Sequence, residues 1–492
     1  MAFSDSDNLW APLFEVLQHH PQYLEALKTT IAELFYGDSY LSYSAVYYAA
    51  LMAAARHDCG YLLNLFHQEF TGCNRFPEWL QGLSFSHKSI QNLHLLNCLL
   101  AHRPWEISKR HLQDLTSNAE VSCRYSISQL IQALVVMAHV HALSSLCYGL
   151  GIDTADLCGH DITAQQEPSS QKSTIESNKP SSSTCAPPSL HQNSAKIANS
   201  ISSSTKSELR RSSVNNGDSG SRDSLPAAAV AKSSSVTEKT SSQDLRCNQT
   251  RSQSKEDLGV GVLISRLEEL NANNTSHVAA TTSKAEKTER FVDVYRQSCE
   301  IVPSGGSSPI EEYRFSGQAK QFTKELSFCY IDFMKRKDSS LTPTLKMHDI
   351  SWQDHGYAVM EQICPHLSEL VDQKFDIIKN LTYHTMGTHE DVDTSRYRIA
   401  IWNYIHSLYG IRQDDYDYAE INIMLSISMK RFIKTLTCYP HRMTEALRNS
   451  VMPGFTYAER VSWDNLVYYP DRMTEALRNS VMPELTYAEQ IS

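Results

Sequence analysis

The apolar residues of this chain recur at helical spacing in two blocks, one on each side of a long polar stretch. In the first block, residues 8–155, the pattern runs through LWAPLFEVLQHH and then SAVYYAALMAAARHDCGYLLNLFHQEF. The second of these is apolar nearly all round, which predicts a helix or helix pair in the centre of a domain. Ser126 and Gln129 have the spacing of a capping box ahead of the apolar run LIQALVVMAHVHALSSL. The second block begins near residue 306. Its segments FTKELSFCYIDFMKR and DHGYAVMEQICPHLSELVDQKF are amphipathic and predict helices, and a further helix is expected near 418–436. Between them, residues 381–420 read as a loop, a helix and an acidic loop. Asp393 and Thr394 are N-cap residue types and Gly410 is a stop. Tyr397, Ile401, Tyr404, Ile405 and Leu408 form the face that meets a core. The pattern predicts an all-α protein of two helical subdomains.

The polar stretch changes the domain picture. Residues 161–255 are rich in Ser, Thr, Gln, Asn and Lys and poor in large apolar residues. Such a segment buries too little surface to offset its chain entropy, so it reads as disordered. Residues 258–270 predict one short amphipathic helix docked on a folded domain, although Gly259 and Gly261 weaken it. The expected organisation is a first domain at 1–160, a linker at 161–305, a second domain at 306–462 and a tail at 463–492. In the tail, RMTEALRNSVMP of 442–453 recurs at 472–483. A single recurrence is not a solenoid, which needs at least three stacked units, and it reads as a local duplication.

Composition narrows the function classes. The formal charge is −10, which gives no general argument for nucleic-acid binding. The 12 cysteines are scattered without CxxC pairs or zinc spacing, as in reduced intracellular thiols. The N-terminus carries no basic, apolar signal peptide, and no apolar run reads as long enough to span a bilayer. These features predict a cytoplasmic protein, with the nucleus as a second compartment, and no cofactor or metal. His139 and His141 lie two apart on a predicted helix and make a poor metal pair, and His19 and His20 are equally unpromising.

The segments LTYHT, HEDVDTS, IWNYIH and GIRQDDYDY resemble the sestrins, stress-induced regulators of TOR-kinase signalling, and the resemblance extends through AAARHDCGYL, AHRPW and LIQAL. It runs from about residue 8 to about 462, interrupted by the polar stretch. It implies an N-terminal domain related to alkyl hydroperoxidase D-type proteins. It also implies an intracellular amino-acid and stress sensor that restrains TOR complex 1 through the GATOR complex.

Three constellations carry the candidate chemistry. Arg398 sits in the first turn of a helix, where the dipole disfavours a cation. One reading pairs it with Asp391 or Asp393 at the surface; the other makes it part of a carboxylate or phosphate site at exposed helix N–H groups. A free amino acid needs an anion for its ammonium, a cation for its carboxylate and an apolar well, because each buried charge is costly unless paired. The resemblance implies that Arg398 takes the carboxylate and Glu459 the amine. It implies that Thr382, Thr385 and Thr394 form a latch and that Tyr383 is the neighbouring aromatic. The lining departs from the family: Tyr397, Met452 and Ser462 stand where the family has leucine, tryptophan and histidine. The alternative is that Arg398 and Glu459 pair with each other in a core.

In the acidic loop, Asp414, Asp415, Tyr416, Asp417 and Tyr418 interleave carboxylates with aromatics, as on a binding surface. The resemblance assigns GATOR contact to Asp414 and Asp415. The third constellation is His57-Asp58-Cys59-Gly60-Tyr61, which resembles the active segment of alkyl hydroperoxidase D-type proteins. Asp58 as N-cap would put Cys59 in the first turn of the next helix, where a dipole favours the peroxide-attacking thiolate. Tyr61 matches the family's relay tyrosine. The related enzymes use a second cysteine in CxxC, but Leu62 stands there, so no local resolving thiol exists. The family's relay histidine is replaced by Phe66, and His67, about 100° further round the helix, points elsewhere. A one-cysteine alkyl hydroperoxide reductase using Cys59 is therefore the alternative function, from the enzyme class.

Overall fold

A computed structural model describes residues 7–73, 75–152, 259–275, 283–303, 315–332, 335–336, 345–346, 352–382, 384–451 and 453–466. All of these lie in one compact unit formed by Met1–Asp161 and Ser242–Ser492. The expected disordered segment at 161–255, Tyr383, Met452 and the second copy of the duplicated tail fall outside the described residues.

The described chain is built of helices. Its only strands are two-residue pairs: Leu345–Lys346 runs parallel to Ile411–Arg412, and Thr385–Met386 runs antiparallel to His389–Glu390. The long apolar run folds as the expected helix pair, Tyr43–Arg56 and Gly60–Gly72, and every residue from Val46 to Arg56 is buried. The Ile127–Leu150 helix packs across the first of these. It starts at the predicted capping box: Gln129 N–H donates to Ser126 Oγ at 3.2 Å, and Ser126 N–H donates to Gln129 Oε1 at 3.0 Å. It stops at Gly151, whose φ of +76° is the left-handed C-cap conformation. At 24 residues it is long and apolar enough to cross a membrane by length and composition, contrary to the sequence reading; yet 94% of its apolar window is buried in the protein. That is the burial of a core helix, surrounded on all sides by other helices.

The Ser395–Tyr409 helix forms as expected. Tyr397, Ile401, Tyr404, Ile405 and Leu408 are all buried, and Gly410 ends the helix at a φ of +84°. The amphipathic run beginning at Phe322 differs from expectation. Helix ends at Phe322, and residues 323–332 follow without regular helix. The cause is tertiary. The fully buried Arg56 guanidinium donates to the carbonyls of Lys324, Glu325 and Phe328, and Glu325 takes a φ of +51° to present its carbonyl. The next run breaks at Pro365, giving helices Ala358–Ile363 and Pro365–Asn380, because a proline disfavours helical geometry in the residue before it.

The predicted 258–270 helix spans Val260–Thr275, buries Leu263 and Leu267, and anchors Arg266 on the Ile423 carbonyl. The 161–305 linker assignment missed a second helix, Lys284–Glu300, which buries Phe291, Val294 and Tyr295. Its charged composition hid three apolar residues spaced three and one apart, and they gain a partner only where the 395–409 and 419–424 helices lie against them.

N-terminal and C-terminal helices share one core. Pro21–Tyr36 packs on Pro365–Asn380, and Ile127–Leu150 meets both Ile427–Cys438 and Tyr457–Leu466. Polar ties cross the same boundary. The buried Lys374 amine lies 3.0 Å from His139 Nε2, His20 Nε2 lies 2.7 Å from the Ala458 carbonyl, and Arg448 donates to the Tyr148 carbonyl at 3.0 Å.

Candidate functional site

The candidate pocket lies where the end of the Pro365–Asn380 helix, the 385–390 hairpin and the starts of the Ser395–Tyr409 and Tyr457–Leu466 helices converge. Arg398 is buried, and its guanidinium donates to the carbonyls of Ile378, Lys379 and Leu381. These are the terminal carbonyls of the preceding helix, which lack intrahelical partners and carry the negative end of its dipole. That answers the dipole objection raised by the sequence. The cation sits in the first turn of its own helix but against the last turn of another. It is buried rather than at the surface, and it does not pair with Glu459. Its Nη1 also reaches Ser462 Oγ at 3.4 Å.

Glu459 is 1% exposed. One carboxylate oxygen accepts from the Gly387 N–H at 2.8 Å; the other accepts from the N–H and hydroxyl of Thr456, at 2.8 and 2.9 Å. Glu459 N–H returns a bond to Thr456 Oγ at 3.2 Å, so Thr456 and Glu459 form a capping box. The motif T-x-x-E was present in the sequence, but its role was not read there. Among the described residues no cation pairs with this carboxylate.

Ser462, one turn on from Glu459, ties the Arg398 side to Thr382. Thr382 Oγ donates to Ser462 Oγ at 3.0 Å, and Ser462 Oγ donates to the Leu381 carbonyl at 3.2 Å. Thr394, fully buried, reaches the Thr382 carbonyl at 3.5 Å. Thr382 holds a φ of +51°, a conformation a β-branched residue rarely adopts. Such strain persists only where surrounding structure holds it, and it clusters at ligand clamps and switch segments. Thr385 lies in the hairpin opposite Glu390. The hairpin turns at Gly387, at a φ of +66°, where a Cβ would stand 2.8 Å from the Gly454 carbonyl; only glycine brings its N–H to Glu459 there. Tyr397 is buried and stacks on Phe455 at 6.3 Å. Sequence reasoning missed Ser462 as a bridging hydroxyl, and also His20. His20 lies near Arg398, and burial chiefly, with Arg398 a lesser cause, holds its pKa below the usual imidazole range.

The acidic loop begins beyond the other end of the Ser395–Tyr409 helix. Its tyrosines are not surface anchors, as the sequence suggested. Tyr416 and Tyr418 are buried, ring to ring at 5.2 Å, and Tyr418 meets Phe291 of the Lys284–Glu300 helix edge-on at 4.8 Å. The carboxylates stay outside. Asp415 is exposed, Asp414 pairs with Arg412 at 2.7 Å, and Asp417 pairs with Arg290 at 2.5 Å. Arg412 donates in addition to Thr288 Oγ at 2.7 Å. Helix 284–300 thus fixes the loop from beneath and leaves its acidic rim to solvent.

A family model described as PA26 p53-induced protein (sestrin) matches residues 2–478. Sestrin-2 of Homo sapiens is 33% identical over 449 residues, which cover 91% of this chain and 78% of the relative. The chain belongs to the sestrin family. Sestrin-3 of Mus musculus is 31% identical over 453 residues, 91% of this chain and 79% of the relative. The sestrin homolog of Drosophila melanogaster is 31% identical over 447 residues, 91% and 86%.

In this sestrin-family chain, the third constellation departs from the sequence reading. Cys59 itself is the N-cap of the Gly60–Gly72 helix, and Asp58 before it has a φ of +51°. The Asp58 carboxylate instead accepts from the N–H and hydroxyl of Ser316, the N-cap of the Gly317–Phe322 helix, at 2.9 and 2.5 Å. Tyr61 is buried with its hydroxyl on the Leu9 carbonyl at 2.8 Å. Phe66 is fully buried against Trp10 and Phe35. Cys59 is 3% exposed, and burial chiefly, with Cys59 nearby as a lesser cause, holds the Cys147 thiol above the usual range.

Proposed function

We propose that this chain is an intracellular sensor of an apolar amino acid of the leucine type. Thr382, Tyr383, Thr385, Thr394, Arg398 and Glu459 hold the ligand, and Asp414 and Asp415 present the surface that binds the GATOR complex. Ligand-free, the protein restrains TOR complex 1 signalling in the cytoplasm and nucleus; ligand releases the restraint. The observation that carries this reading is Glu459, a carboxylate 1% exposed and met by backbone N–H groups and a hydroxyl but by no cation among the described residues. A buried charge is costly without a counter-charge, and an ammonium would supply one. Arg398, bonded to Ser462 on the same helix as Glu459, offers a cation to the ligand carboxylate.

A ligand shifts an equilibrium only through its different affinity for the two states. The strained Thr382 segment and the hairpin whose N–H touches Glu459 are the parts that would differ. The Ser395–Tyr409 helix carries the chain about 17 Å beyond Arg398, at roughly 1.5 Å per residue, before the acidic loop begins, so a ligand acts through that helix. The test is a thermal-shift scan of the purified protein against the twenty amino acids, followed by calorimetry. A rise in unfolding temperature restricted to apolar amino acids is expected, and a flat scan would overturn the reading.

A further inference from the structure

Glu459 accepts one of its hydrogen bonds from the Gly387 N–H, and a helix outside the pocket holds that donor in place. Gly387 is buried at the hairpin turn, with a φ of +66°. A Cβ on Gly387 would stand 3.1 Å from Val260 Cγ1 and 3.3 Å from Val260 Cγ2, and one on Gly454 would stand 3.3 Å from Val260 Cγ2. Val260 is the first residue of the Val260–Thr275 helix, so the start of that helix rests on both turns beside Glu459. Leu263 and Leu267, one and two turns further on, are buried. Between them Arg266 donates to the Ile423 carbonyl, in the last turn of the Ala419–Met424 helix. A guanidinium suits that place, because the terminal carbonyls of a helix lack intrahelical partners and carry the negative end of its dipole.

The Ala419–Met424 helix follows directly on the acidic rim. Asp417 Oδ1 accepts from the Ala419 N–H at 3.0 Å. Glu420 pairs at 2.8 Å with Arg396, in the first turn of the Ser395–Tyr409 helix, and the two side chains are only 20% and 14% exposed. The acidic loop therefore turns the chain back toward the pocket end of that helix. From Val260 to Arg266 is about 9 Å along the 260–275 helix, at roughly 1.5 Å per residue.

We propose that the Val260–Thr275 helix is a strut that couples the Glu459 turn to the acidic rim, with Val260 and Arg266 as its positioning contacts. It makes a second and shorter connection beside the Ser395–Tyr409 helix. Packed interiors transmit a displacement rather than absorb it, so a shift of Gly387 moves Val260. An ammonium that draws Glu459 away from the Gly387 N–H releases the hairpin turn, and the strut loses its seat at that end. Arg266 carries the change to the Ile423 end of the short helix whose other end is the rim. Coupling of this kind is reciprocal: whatever fixes the rim also fixes the Gly387 N–H on Glu459. The ligand in this scheme rests on the amino-acid reading, whereas the strut rests on the contacts alone.

The experiment is amide hydrogen exchange read by mass spectrometry on the full-length protein, wild type against Val260→Ala and Arg266→Met, with the Tyr43–Arg56 helix as internal reference. Each variant is read at the end it does not touch. Val260→Ala should speed exchange in peptides covering 419–424, and Arg266→Met in peptides covering 385–390, each by about fivefold, the lower end of coupling between sites. If Arg266→Met is not folded by its melting curve, Val260→Ala, the milder change, decides. Exchange that changes only at the mutated end would overturn the strut. Leucine is the ligand probe: added to wild type it should speed exchange at 419–424, and that effect should vanish in Arg266→Met. Leucine that binds by calorimetry and leaves 419–424 unchanged or slower would overturn the coupling. A wild type that binds no amino acid overturns the amino-acid reading instead, and the ligand-free exchange still decides the strut.

Discussion

Replacing Glu459 by glutamine separates its two roles. The carboxylate accepts from Gly387 N–H on one oxygen and from Thr456 N–H and hydroxyl on the other. Glutamine has one acceptor oxygen and a donor NH₂. If the oxygen faces Thr456, the capping box survives, since glutamine serves in that motif as glutamate does. The NH₂ then meets the Gly387 N–H, donor against donor, and a buried N–H loses its acceptor, which costs about 1–3 kcal/mol. The loss of a buried charge without a cation offsets part of this, so the variant should fold and melt a few degrees lower, at roughly 2–4 °C per kcal/mol. Ligand binding should suffer more. Truncating one partner of a buried, hydrogen-bonded charge pair costs about 2–5 kcal/mol, roughly thirty- to several-thousand-fold in affinity. Glu459→Ala gives the contrast, because it removes cap and charge together and should destabilise further. The assay is calorimetry with the amino acid identified by the thermal scan, on variants whose far-ultraviolet spectra and melting curves show them folded. A folded Glu459→Gln that binds within threefold of wild type would reduce Glu459 to a helix cap and remove the pocket.

Arg398→Ala should lower stability by at least about 3 kcal/mol, because the carbonyls of Ile378, Lys379 and Leu381 lose a charged donor in a buried place; unchanged denaturant midpoint would refute that role. On the proposed reading, Tyr397→Leu should alter the preference among apolar amino acids while retaining binding, read as a changed rank order in calorimetry, since Tyr397 is a buried apolar contact of Phe455 and not a charge partner. Asp414→Ala with Asp415→Ala should weaken co-purification of the GATOR complex and leave amino-acid binding within twofold, the two sites lying at opposite ends of one helix; equal recovery of the complex would reject the assignment. Acid should destabilise the fold. Burial holds His94 down to about 4 and His441 to about 3, with nearby arginines a lesser cause, so below the ordinary histidine range the unfolded chain binds protons that the folded one refuses. Stability is full above about pH 6.5 and falls as pH drops toward 4; a melting temperature equal at pH 7.5 and pH 5 would contradict this.

The sequence by itself determined what depends on neighbours along the chain. The 3.6-residue period placed the Tyr43–Arg56, Gly60–Gly72 and Ser395–Tyr409 helices, and the side chains of Ser126 and Gln129 fixed a helix start that the structure contains. Family likeness was legible in long segments such as HEDVDTS and GIRQDDYDY. Tertiary structure decided what depends on residues far apart. Arg398 was an anomaly in its own helix and is explained only by another helix's carbonyls, 17 to 20 residues away. The tyrosines of the acidic loop read as surface until the Lys284–Glu300 helix covered them. Residues 323–332 had a helical pattern that Arg56, more than 260 positions earlier, overrides by claiming their carbonyls. Local propensity is set by a few adjacent residues, each contributing tenths of a kcal/mol, whereas one buried guanidinium contact outweighs several of them and leaves no trace in the local pattern.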